Sequence, residues 1–160
     1  MNETSTPTGA LARWPLTPRL ILAIAIGAAL GALGREALAL LANGNQPHEF
    51  PWGTLIANLS GAFLLGLLAT YLDGLIRHTL FRPFWEIGFV RSFTTLSTFS
   101  LEGVRMLEAE AWGNFIPYVT GSVLGGLLAV FLGDRLGSRL ARASGRRPDS
   151  KTRDRVEHEI

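Results

Sequence analysis

Cysteine is absent from the 160 residues, which excludes disulfides and thiolate metal sites and leaves no redox compartment to read. Histidine is scarce. His48, His78 and His158 fall in a loop, a second loop and a tail, without ligand spacing, and read as solvated side chains. Charge is missing where it matters most: Phe50 to Leu72 and Ala111 to Gly133 contain no charged residue. Each run is long enough to cross a hydrocarbon core of about 30 Å as a helix. A third block, Leu20 to Ala42, is interrupted only by Arg35 and Glu36 near its end. These blocks exclude an ordinary soluble domain. The first begins too late, and runs too long, to be the apolar region of a cleaved signal peptide.

What is present between the blocks is less usual. The segment from Phe84 to about Leu107 carries Glu86, Arg91, Glu102 and Arg105 and the run Thr94-Thr95-Leu96-Ser97-Thr98-Phe99-Ser100. Placed between the other blocks it reads as the third of four spans, at about 20–42, 51–72, 84–107 and 111–134. Hydroxyl side chains are costly in hydrocarbon unless they meet one another, backbone or water. Polar groups at that depth usually line a path or a site. The expected organisation is a disordered N-terminus (1–18), a membrane domain (19–138) and a basic disordered tail (139–160).

Charge also orients the chain. Arg13 and Arg19 precede the first block, Arg77 and Arg82 lie between the second and third, and Arg142, Arg146, Arg147, Lys151, Arg153 and Arg155 follow the fourth. The other two connections carry acidic residues and no Lys or Arg. The positive-inside bias expects both termini and the middle loop in the cytoplasm, in a bacterial-type inner membrane, with Trp14, Trp52, Trp85 and Trp112 as interfacial anchors. A sequence pI near 9.7 therefore marks a membrane side rather than nucleic-acid binding. The tail could touch anionic headgroups, although it reads first as solvated because nothing in it is amphipathic.

Small residues recur at four-residue spacing: Gly27 and Gly31, Ala57 and Gly61, Gly121 and Gly125, Ser122 and Gly126. Such pairs let helices approach closely where no hydrophobic effect drives association. Asn58, between Thr54 and Ser60, is either an interior polar group or interhelical glue. Tyr118, Ser122 and Gly126 share one helix face, as a polar track or a further helix contact. Phe99 either packs or offers its positive ring edge to an anion. Arg35 with Glu36, and Glu102 with Arg105 at i, i+3, read as ion pairs or snorkelling charges.

Assembled, these motifs resemble the Fluc/CrcB fluoride channels from about Gly27 to Gly133. The first block matches G-A-L-x-R at Gly31-Ala32-Leu33-Gly34-Arg35. The second matches G-T-L-x-x-N-x-x-G-x-F-x-x-G through Gly53, Thr54, Leu55, Asn58, Gly61, Phe63 and Gly66. The third is similar to T-T-F-S-T-F-S-x-E from Thr94 to Glu102, and the fourth carries Tyr-x-x-x-Ser at Tyr118 and Ser122. The resemblance implies an all-α membrane protein of four transmembrane helices with a broken third helix, paired as an antiparallel, dual-topology type dimer. It implies passive fluoride export and no enzyme activity. Asn58 would be the pore amide donor and Phe99 a ring-edge contact. Tyr118, Ser122 and hydroxyls among Thr95, Ser97 and Thr98 would complete the track. A structural sodium ion would bind backbone carbonyls at Arg91 and Thr94.

The chain departs from the family pattern in three places. Leu96 stands where the motif has its first pore Phe, Arg91 where it has a glycine, and Gly126 where a small polar residue can occur. A homodimer is possible on the motif; the one-sided charge and Leu96 instead favour a heterodimer with an oppositely oriented paralogue. The alternatives are a small dual-topology multidrug-type transporter, for which Glu36 is a poor embedded carboxylate, and a non-conducting supporting subunit.

Overall fold

The computed structural model describes residues 17–44, 46, 49–75 and 80–143, and these are helical apart from short connections. Helix α1 runs Pro18–Ala42. Pro18 suits its first turn, where no helical partner awaits the missing N–H, and the Thr17 hydroxyl accepts from the Leu20 amide at 3.2 Å. Helix α2 runs Trp52–Leu75. Its first amides are capped from outside the helix: Asn43, just beyond α1, accepts from Gly53 N at 2.7 Å and Thr54 N at 3.2 Å. One side chain thus joins the end of α1 to the start of α2.

A π-helical segment, Pro83–Val90, leads into a single turn of α-helix, α3, Arg91–Phe93. Thr94 and Thr95 are then extended, with ψ of 154° and 126°. Helix α4, Leu96–Glu108, restarts with Thr95 as N-cap. Glu110, at φ 53°, turns the chain into α5, Trp112–Ala143.

Glycine sets the packing of the long helices. A Cβ on Gly133 would lie 2.1 Å from the Phe63 carbonyl oxygen, and one on Gly66 2.3 Å from that of Val130, so α2 and α5 touch backbone to backbone. The π-helical segment meets α1 in the same way through Gly27, Gly31 and Gly88. Two of the expected small-residue positions do not pack: Gly121 and Gly126 face open space within the chain.

Among the described residues three helices are long and apolar enough to cross a membrane: Pro18–Ala42, Trp52–Leu72 and Trp112–Ala143. Their large side chains point outward, with Leu41 85% exposed and Leu127 67% exposed, which water would penalise and lipid would not. The segment 84–107 is not one continuous span of this kind, because the break at Thr94 and Thr95 divides it. Helix α5 continues past the expected end near 134 to Ala143, so 139–143 are helical rather than part of a disordered tail. Residues 1–16 and 144–160 lie outside the described residues.

Candidate functional site

The break is held by Asn58. Its side-chain Nδ2 donates to the Thr95 carbonyl at 3.0 Å, and its Oδ1 accepts from the Thr95 amide at 2.8 Å. A helix would have satisfied both groups internally. Here an amide side chain from α2 replaces that pairing, which removes most of the cost of unwinding at depth. One Nδ2 hydrogen is left over.

The hydroxyl run divides by geometry. Thr94 and Ser100 bond back to the carbonyls of Val90 and Leu96. Thr95, Ser97 and Thr98 form a small cluster, with Thr95 Oγ1 3.2 Å from Ser97 Oγ and 3.0 Å from Thr98 Oγ1. The Thr95 oxygen also accepts from the Thr98 amide at the start of α4. That helix end carries partial positive charge from its unpaired amides.

A groove of about 390 Å³ opens against the break. Asn58, Thr95, Leu96, Phe99 and Ser122 line it, together with Arg91 and Thr94. The Ser122 hydroxyl is buried there without a hydrogen-bond partner. A buried, unpaired donor is uncommon and points to a ligand or water that would complete it. Leu96 is 77% exposed, and Arg91 is exposed on the same side. Most of the expected site residues therefore converge on one surface. Ser97, Thr98 and Tyr118 do not line it.

Tyr118 sits behind Phe99 rather than on the groove. It is fully buried, its ring centroid 5.2 Å from that of Phe99, and its hydroxyl donates to Glu102 Oε2 at 2.6 Å. Glu102 Oε1 accepts from Asn43 Nδ2 at 2.9 Å and Thr54 Oγ1 at 2.8 Å. The expected Glu102–Arg105 ion pair is not formed, because three neutral donors already occupy the carboxylate. Arg35 likewise turns away from Glu36, and its Nε donates to the Ser92 carbonyl at 3.4 Å, at the end of α3. Asn43 is the network member that sequence reasoning missed. An Asn-Gly pair immediately after an apolar block was the available signal.

Break, inward-facing donors and outward-facing leucines define a helical membrane protein with a polar site built inside its apolar framework. The family model described as "CrcB-like protein, Camphor Resistance (CrcB)" matches residues 22–134, and the chain belongs to that family. Its relatives include "Fluoride-specific ion channel FluC 1" of Mycolicibacterium paratuberculosis, 41% identical over 76% of this chain and 92% of the relative. "Fluoride-specific ion channel FluC" of Thermus thermophilus is 40% identical over 74% and 95%. "Fluoride-specific ion channel FluC 2" of Nocardia farcinica is 38% identical over 74% and 85%.

Proposed function

We propose that this chain is a subunit of a fluoride-selective passive channel that lets cytoplasmic fluoride out of the cell. The observation that carries the reading is the groove at the helix break, which Ser122, with its buried and unpartnered hydroxyl, lines together with Asn58 and Phe99. A small, strongly hydrated anion leaves water only if neutral donors replace its shell. Ser122 Oγ, the spare Asn58 hydrogen and the ring edge of Phe99 are groups of that kind. Fluoride enters cells as the neutral acid and dissociates inside, so a passive leak is sufficient. The channel catalyses no reaction. The names of the FluC relatives support the assignment.

In this reading the divided segment is a third crossing among four, and two chains pair antiparallel in an inner membrane, with both termini of this chain in the cytoplasm. The family resemblance implies a structural cation held by backbone oxygens at the end of α3. Carbonyls that end a helix lack amide partners and are hard oxygen donors, so the Arg91 and Thr94 positions fit such an ion chemically. The Arg91 side chain stands on the same groove, and a fixed charge there opposes a second cation. We assign Arg91 the positive charge that sodium would otherwise supply.

The deciding experiment is fluoride efflux from proteoliposomes holding this protein alone and then with an oppositely oriented paralogue, with chloride as control. Fluoride-selective efflux in either arm supports the channel, and no efflux in both arms rejects it. Exposed Leu96, which brings no ring edge to the groove, favours a second reading, in which this chain supports pores completed by its partner. Efflux in the paired arm alone, insensitive to changes at Asn58, would select it.

A further inference from the structure

Helix α5 is longer than a membrane is thick. Its 32 residues span about 48 Å at 1.5 Å per residue, against a hydrocarbon core of about 30 Å. If Trp112 marks one interface, Arg135 lies about 35 Å along the axis, at the depth of the opposite headgroups. Three arginines follow at i, i+4 and i+7: Arg135, Arg139 and Arg142. All three are exposed, whereas Gly133, Gly137 and Ala141 are buried. The glycines among these seat the helix on the α2 backbone at Phe63 and Leu67. At 100° per residue the arginine face lies opposite that buried face, and so points away from the rest of the chain.

The same outward face carries Leu124, Leu128 and Phe131 one to three turns earlier, all exposed. It changes from apolar to cationic at the level where hydrocarbon gives way to headgroups. The Arg135 guanidinium carbon sits 4.5 Å above the Phe131 ring centroid, which fixes the charge at that boundary. Among the described residues no carboxylate neutralises the stripe. Asp134, the one acidic residue in these turns, accepts from the Thr70 hydroxyl of α2. Among the described residues none of the three arginines forms an ion pair. The turns after Gly133 are thus amphipathic, which the sequence reading did not anticipate.

We propose that Arg135, Arg139 and Arg142 form a binding site for the headgroups of anionic phospholipids. Three cations over about 10 Å of axis begin at headgroup depth with Arg135 and continue just above it, from where the long side chains of Arg139 and Arg142 reach back to the phosphates of lipids around the helix. A free anion in solution gains nothing from that placement. The inference needs only the membrane placement of α5 and is independent of fluoride conduction.

The test titrates the full-length protein in detergent with phosphatidylglycerol and counts retained lipid by native mass spectrometry. Phosphatidylcholine and inorganic phosphate serve as comparators. Phosphatidylglycerol should be preferred, and each arginine removed should weaken it about fivefold. The triple variant Arg135→Gln, Arg139→Gln, Arg142→Gln should therefore lose affinity by about a hundredfold. A charge-matched triple in the tail, Arg146→Gln, Arg147→Gln, Arg153→Gln, should lose much less. Equal retention of both lipids, an unaffected helix triple or an equal loss in the tail triple would overturn the site. Displacement by equimolar inorganic phosphate would also overturn it. So would a helix triple that keeps its lipid but no longer assembles with a second chain, since the face would then belong to a protein partner.

Discussion

Asn58 carries two tasks on one amide: it closes the broken backbone at Thr95 and keeps one hydrogen for the groove. Asn58→Asp would keep the acceptor, lose the donor to the Thr95 carbonyl and place an anion in the path of another. Fluoride efflux should fall at least about tenfold, since a hydrogen bond to a charged partner is worth roughly 1.5–3 kcal/mol. Phe99→Ile should also slow efflux strongly, because it removes the ring edge. Unchanged efflux in both variants would take these residues out of the pore. Ser122→Ala separates function from stability. Its hydroxyl is buried and unpaired, so deletion should leave the melting temperature unchanged or slightly raised, while efflux drops several-fold. A clear loss of stability instead would identify the hydroxyl as a structural partner. Arg91→Gly should make both efflux and thermal stability depend on sodium, which the unaltered protein should tolerate losing. Sodium dependence already present in the unaltered protein would defeat the assignment of the central charge to Arg91.

At the level of elements, the contact between α2 and α5 has no slack. Gly133→Val would drive side-chain carbons into the Phe63 carbonyl, where even a Cβ is 2.1 Å away. Overpacking of this sort costs about 1–3 kcal/mol, so the melting temperature in detergent should fall by several degrees. The same substitution at Gly121, which meets nothing within 4 Å, should leave the chain's own fold nearly unaffected; comparable losses at the two positions would refute the packing assignment. The four-residue glycine pattern was legible as packing potential but not as partner choice. Which glycines touch backbone depends on how α2, α5 and α1 cross, and that is a property of pairs of helices.

For the molecule as a whole, the basic residues collect around the ends where α1 begins and α5 finishes, and the other end holds Glu49, Glu108 and Glu110. A bias that strong favours one orientation, so a partner inserted the other way up would be a second protein. Fusion of topology reporters to the C-terminus should report the cytoplasm alone. Equal signal from both sides would show that one sequence supplies both orientations, as a homodimer needs.

The membrane location and the approximate positions of the three long apolar helices were legible in the sequence, whereas the break in the segment 84–107 was expected only from the family resemblance. Apolar run length, charge placement and a cluster of hydroxyls are all local properties. The convergence of Asn58, Thr95, Phe99 and Ser122 could be inferred only through the motif, and the tertiary structure brought them onto one surface. The fates of Glu102, Tyr118 and Arg35 were not legible at all. Spacing along α4 offered Arg105 to Glu102, but the fold supplied three neutral donors from α2, α5 and the end of α1. A half-buried carboxylate takes the partners that three-dimensional packing delivers, and helix periodicity describes only one helix at a time.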